Sequence, residues 1–254
     1  MADRKLIMAG NWKMHKTSAE TRSFVRELKT AIQDGTVPCE IIVAPPFTSI
    51  SAATEEARGT AIRVSGQNLH WEDKGAFTGE ISGEMLREAG CSHVIIGHSE
   101  RRQYFGETDE TVNLRLKAAM RAGLIPIFCL GETLEEREQG RTFSIVKGQL
   151  LKGMRDIVLE ESAGFVIAYE PVWAIGTGQT ATPEQAQEVH AFLREELVTG
   201  YGSPVANQLR ILYGGSVKPD NAASLMSQKD IDGGLVGGAS LKVGDFVGII
   251  KHGI

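Results

Sequence analysis

Cysteine is scarce in this sequence. Only Cys39, Cys91 and Cys129 occur in 254 residues, an odd number, widely spaced and set among apolar neighbours. That argues against a disulfide frame or a thiolate metal site and points to reduced, mostly buried thiols of a cytoplasmic protein. Long apolar runs are missing too. No stretch approaches the roughly 20 residues that span a bilayer, so no membrane partner is expected. The start, Met1-Ala2-Asp3-Arg4, runs almost directly into a strand, so a secretory leader is not expected. Basic surplus is absent as well: 27 Lys and Arg face 32 Asp and Glu, for a net charge of -5. With no clustered basic arm, nucleic acid is not an expected partner. No Gly-x-Gly-x-x-Gly follows the first strand, so a dinucleotide site is not expected. His98 and Glu100 lie two apart with no third ligand nearby, and neither metal nor other cofactor is expected.

What is present is regular alternation. Hydrophobic content of 42% and charged content of 23% suit a globular protein, and 27.5 kDa allows a sizeable core. Short apolar, β-rich runs recur at Lys5–Ala9, Glu40–Ala44, Arg63–Gly66, His93–Ile96, Ile125–Leu130, Gly164–Tyr169, Arg210–Tyr213 and Gly234–Val236. They are apolar on both faces, as strands buried in a parallel sheet must be. Amphipathic stretches lie between them, among them Ala19–Gln33, Asp109–Ala122, Phe143–Glu160, Pro183–Val198 and Pro219–Ser227. Thr182-Pro183 reads as an N-cap followed by proline at the first helical position, and Thr108 as another cap. About eight β/α units in this length predict an α/β protein, a closed (β/α)8 barrel forming a single domain over residues 1–254.

The chemistry-bearing residues fall at the ends of these strands. Asn11 and Lys13 follow the first, His98 and Glu100 the fourth, Glu170 the sixth, Ser216 the seventh, and Gly237 and Gly238 the eighth. Barrel closure would bring all of them to one mouth. The run Ala168-Tyr169-Glu170-Pro171-Val172-Trp173-Ala174-Ile175-Gly176-Thr177-Gly178 puts one carboxylate where a strand stops. A stiff Pro-Val-Trp step follows, then a small, glycine-rich stretch. This is the layout of a fixed base beneath a loop able to swing shut, with proline holding Glu170 extended and glycine leaving amides free for an anion. The connection Gln67–Glu80 is long and carries Leu69, Trp71 and Phe77, which favours an interface over a plain surface excursion.

Five segments, AGNWK (Ala9–Lys13), GHSERR (Gly97–Arg102), AYEPVWAIGTG (Ala168–Gly178), YGGSV (Tyr213–Val217) and LVGGAS (Leu235–Ser240), occur in this order along the chain. Together they closely resemble the triosephosphate isomerase family, essentially end to end. The resemblance implies a TIM barrel and an aldose–ketose isomerase of glycolysis and gluconeogenesis. It would interconvert dihydroxyacetone phosphate and glyceraldehyde 3-phosphate through an enediolate. Glu170 would be the base, His98 a neutral electrophile and Lys13 the electrostatic stabiliser, an assignment this family lends to general accounts of tuned acid–base pairs. Asn11 would orient the substrate oxygens and Glu100 pair with Lys13. The phosphate would rest on amides near Gly176, Ser216, Gly237 and Gly238, and closure would press Ile175 and Leu235 around Glu170, raising its basicity by desolvation. The family also implies a homodimer in which the Gln67–Glu80 loop inserts beside the neighbour's site. Another phosphate-binding barrel enzyme, an epimerase or a synthase, suits the fold and the glycine turns equally, though it does not account for GHSERR with AYEPVWAIGTG. A non-catalytic phosphosugar-binding protein on the same fold is the third reading.

Overall fold

A computed structural model describes residues 4–32, 37, 39–160, 164–175 and 180–252. Eight parallel strands close a barrel in sequence order, β1 pairing with β8. The first half runs β1 (Leu6–Asn11), α1 (Ser18–Ile32), β2 (Cys39–Ala44), α2 (Ile50–Ala57), β3 (Ile62–Gly66), α3 (Gly83–Glu88), β4 (His93–Ile96), α4 (Ser99–Phe105) and α5 (Asp109–Arg121). The second runs β5 (Ile125–Leu130), α6 (Leu134–Glu138), α7 (Thr142–Gly153), β6 (Val166–Tyr169), α8 (Pro183–Ala206), β7 (Arg210–Tyr213), α9 (Ala222–Met226), β8 (Gly233–Val236) and α10 (Val243–His252). No helix among the described residues is long and apolar enough to cross a membrane.

The strands are apolar on both faces because they serve two cores. Ile7, Ala9, Ile42, Ala44, Ile95, Ile127, Cys129, Val166, Ala168, Leu212 and Leu235 fill the barrel's interior. Their alternate neighbours, such as Met8, Val94, Phe128 and Tyr169, pack outward against the helices. All three cysteines are free and buried. Burial pushes the Cys91 thiol up to about 12, which leaves it inert rather than reactive.

Both expected caps are present. The Thr108 and Thr182 side chains each accept from the third backbone amide of their helix, and Pro183 occupies the first turn of α8. Three helical boundaries differ from the sequence expectation. α7 stops at Gly153 instead of running to Glu160, since Asp156 adopts a left-handed φ of 59°. α8 continues past Val198 but breaks at Gly202 (φ 77°, ψ 157°), just ahead of Pro204. α9 begins only at Ala222, because the Lys218 amide is taken by Asn221 Oδ1 at 2.8 Å in a tight turn.

Candidate active site

β4 ends in Gly97, whose φ of 74° turns the chain so that His98 can cap α4. His98 Nδ1 accepts from the Glu100 amide at 3.2 Å. An accepting Nδ1 places the ring's hydrogen on Nε2, which lies 3.0 Å from Glu170 Oε1. The other carboxylate oxygen, Oε2, accepts from the Ser99 amide at 2.9 Å. Glu170 is itself anchored, its amide donating to Leu130 O at 2.8 Å. Gly214 allows the close packing behind it, as a Cβ there would stand 2.8 Å from Glu170 Cγ. The base and the histidine are therefore parked on each other, both almost fully buried.

The pair shifts both groups. Burial alone would push Glu170 up, but the His98 ring and the Ser99 amide outweigh it and hold the carboxyl below its usual range. Burial alone would push His98 down, and the neighbouring carboxylate more than reverses that. The neutral imidazole that the resemblance implies is thus half the account: the Glu100 amide does demand a lone pair on Nδ1, while Glu170 pulls the other way. Likewise, the desolvation expected to make Glu170 more basic is overcome in this pose by its two donors.

Lys13 adopts φ 50°, a conformation costly for a side-chain-bearing residue. Two contacts hold it there: Asn11 Oδ1 accepts from its amide at 3.0 Å, and Gln67 Nε2 donates to its carbonyl at 2.8 Å. Lys13 Nζ reaches Glu100 Oε1 at 2.5 Å. Glu100 does not line the cavity; its carboxylate meets it through Lys13, with Oε2 3.7 Å from His98 Nδ1.

A cavity of about 670 Å³ opens at this mouth. Asn11, Lys13, His98 and Glu170 line it together with Ser216, Gly237 and Gly238. Ile175 and Leu235 also line it, as the sequence suggested. Gly176 lies outside the described residues. Glu100 aside, the expected residues that are described come from five separate segments and share one hollow. Among the described residues no three His, Cys, Asp or Glu side chains gather as metal ligands.

The Triosephosphate isomerase family model matches residues 6–253. The chain belongs to the triosephosphate isomerase family. Among its relatives in the family, the triosephosphate isomerase of Trichlorobacter lovleyi is 55% identical over 98% of both chains. That of Carboxydothermus hydrogenoformans is 53% identical over 99% of this chain and 100% of its own. The crystal structure of triosephosphate isomerase from Bartonella henselae superposes with a TM-score of 0.89 at 41% identity, covering 98% of each chain.

Sequence reasoning missed part of the machinery. Glu132 is wholly buried beneath the segment that follows Glu170. Its carboxylate accepts from the Tyr169 hydroxyl (3.1 and 3.0 Å), Trp173 Nε1 (3.0 Å) and Arg137 Nη1 (3.2 Å), while its carbonyl accepts from the Val172 amide at 3.1 Å. It pins the stiff Pro-Val-Trp step to the loop after β5. Nothing in GET (Gly131–Thr133) marked it, because its partners are remote in sequence. Gln67 was noticed only as a loop boundary, although it supports Lys13.

In the loop after β3, Leu69 is buried within the chain, and Trp71 packs under Arg115, whose Cζ lies 4.8 Å from the ring. Of the three apolar residues noted there, only Phe77 is exposed.

Proposed function

We propose that Glu170, His98 and Lys13 together carry the reaction of this chain. That reaction is triosephosphate isomerisation, EC 5.3.1.1, a step of glycolysis. With a triose phosphate in the cavity, Glu170 leaves its resting bonds to His98 and Ser99 and takes a proton from the carbon beside the carbonyl. It returns that proton to the neighbouring carbon. His98 Nε2–H polarises the carbonyl oxygen, gives its proton to that oxygen in the enediolate and takes the hydroxyl proton back from the neighbouring oxygen; a neutral donor does this without forming an over-stable ion pair. The Lys13 ammonium offsets the developing charge. Asn11, whose oxygen is committed to the Lys13 amide, has its amide group left to orient the substrate oxygens. Ser216 and the amides of Gly237, Gly238 and Gly176 seat the phosphate. Closure of the segment carrying Ile175 and Gly176 would shed water from the enediolate.

The observation that carries this reading is that Lys13, His98 and Glu170 line one cavity with the small-residue turns after β7 and β8. The epimerase, synthase and binding-protein alternatives fall away with the family assignment. The test is a coupled assay with glyceraldehyde 3-phosphate on Glu170→Asp: substrate binding is kept and turnover falls by about 10²–10⁴-fold, the usual share of a positioned base. Unchanged turnover would remove Glu170 from the mechanism.

The active form is a homodimer in the cytoplasm. Met14, Phe47, Phe77, Met85, Tyr104 and Phe105 are exposed on connections and helices that follow β1 to β4, an apolar set a partner would cover. Sedimentation of Phe77→Glu should show dissociation with loss of activity; a fully active monomer at low concentration would refute the dependence on pairing.

A further inference from the structure

The β1–α1 loop holds a second lysine in the left-handed region, Lys16 at φ 73°. Lys13 has its twist explained by the cavity it faces. Lys16 does not line that cavity, so the strain of a lysine where glycine is at home calls for a separate compensation. Three contacts supply it. Lys16 Nζ donates to Leu241 O at 2.9 Å. The same ammonium lies 4.7 Å from the centre of the Phe24 ring and 5.6 Å from that of Trp12, two rings packed edge-on at 4.8 Å. The Lys16 carbonyl accepts from Ser49 Oγ at 3.3 Å, tying the loop to the start of α2.

The acceptor is what gives this placement meaning. Leu241 ends the 3-10 turn Gly238–Leu241, which begins with the glycines facing the cavity. Inside that turn, the Ser240 amide and hydroxyl both donate to Gly237 O, at 2.8 and 2.7 Å, so the turn moves as one piece. One ammonium therefore joins the far end of the glycine turn to the loop that carries Lys13 three residues earlier.

We infer that Lys16 is a positioning residue that clamps the anion-seating turn after β8 to the β1–α1 loop, so that the phosphate seat is held ready for binding. This rests on the reading of Gly237 and Gly238 as part of the phosphate seat. The charge and the N–H donor are what the clamp needs. The aliphatic stem and the left-handed backbone are not.

Two variants separate these. Lys16→Met keeps the stem against Trp12 and Phe24 but has no donor, whereas Lys16→Gly relieves the backbone and removes the whole side chain. Both should raise KM for glyceraldehyde 3-phosphate and the competitive inhibition constant of inorganic phosphate by about five- to tenfold, part of the worth of a charged hydrogen bond. The turnover number should stay within about twofold, the signature of lost binding rather than lost chemistry. Lys16→Arg, which keeps a cation with N–H donors, should restore both constants. A purely structural role would lower the unfolding temperature of the Met variant while leaving KM and phosphate inhibition unchanged, and that result overturns the clamp. A fall confined to turnover overturns it as well. Gly238→Val, which places a side chain in the open space before that glycine, is the control. If phosphate still inhibits Gly238→Val as it does the wild type, the seat itself is wrong; if Gly238→Val abolishes inhibition while Lys16→Met changes nothing, only the clamp fails.

Discussion

Strand β4 begins with one histidine and is followed, two residues past its end, by another, and the two live under opposite rules. His93 stands at the barrel floor, 1% exposed, with Ser92 Oγ at 2.8 Å from Nδ1 and Glu40 Oε1 3.6 Å from Nε2. Burial, with Arg210 and Arg63 nearby, pushes it down to about 3. His98 stands at the mouth, equally enclosed by protein, and is pushed the other way by Glu170. The same contrast extends around each end. At the floor, Arg194 donates to Ala206 O (2.6 Å), Leu209 O and Asp232 Oδ2 (2.5 Å), and Asp232 also accepts from Arg4 and the Ile211 amide. Those charges are consumed by neighbours. At the mouth, Lys13, His98 and Glu170 keep one side toward an open cavity. Both ends concentrate ionisable groups in a barrel, but only unspent hydrogen-bonding capacity beside empty space makes a reactive site.

The comparison breaks most sharply under substitution of the two histidines. His98→Gln should cut turnover by about 10²–10⁴-fold with a smaller change in KM, as for loss of a general acid–base partner. His93→Phe, in the same assay, should leave turnover within a few-fold; equal losses from both would erase the distinction between the ends. Next is Arg194→Met, which leaves the buried Asp232 carboxylate with Arg4 as its remaining charged partner and takes the donor from the Ala206 and Leu209 carbonyls. Denaturant unfolding should show a loss of about 3–5 kcal/mol, with turnover of the remaining folded enzyme intact.

The pH dependence of stability follows from His93. Its folded pKa lies below its ordinary value of 6.5, so the unfolded chain binds the extra proton first. Its contribution is complete above that ordinary value and is lost as pH falls toward 3. Wild-type unfolding free energy should drop by up to about 1.4 kcal/mol per pH unit between roughly pH 6 and 4 on this account. Phenylalanine at 93 should flatten that slope, and parallel slopes for the two proteins would exclude His93 as its source. The smallest effect is expected at the mouth. Lys13 and Glu100 are partly exposed, so Glu100→Gln should change stability by no more than about 1 kcal/mol, measured by the same denaturant titration. A loss as large as that of Arg194→Met would mean the mouth is built for stability too.

Much of the fold was readable because it depends on local periodicity. Runs apolar on both faces located β4, β5 and β7 to the residue, and Thr108 and Thr182 announced their helices through cap chemistry that needs only near neighbours. α7 was overextended because its end is marked by the left-handed backbone at Asp156, a conformation that no apolar periodicity announces. Site positions were readable for a related reason: strand order fixes which loops share a mouth. Glu132, Gln67 and Lys16 were not readable, since much of what each does runs through partners 23 or more residues away, often backbone carbonyls that carry no residue-type signal. Among the apolar residues after β3, the sequence did not separate Leu69, buried within the chain with its carbonyl accepting from Arg115 Nε, from the exposed Phe77.

Alternation of apolar runs with amphipathic ones was enough to dictate an eight-unit barrel and to line up the reacting groups at its C-terminal rim, because strand direction and side-chain period are properties of neighbouring residues. The ionisation of those groups was another matter. Whether a histidine is held above or below its ordinary pKa, and whether a lysine can sit in a left-handed turn, depends on which charges and carbonyls folding brings within a few ångströms. That distance is set by closure of the barrel, and only the tertiary structure decided it.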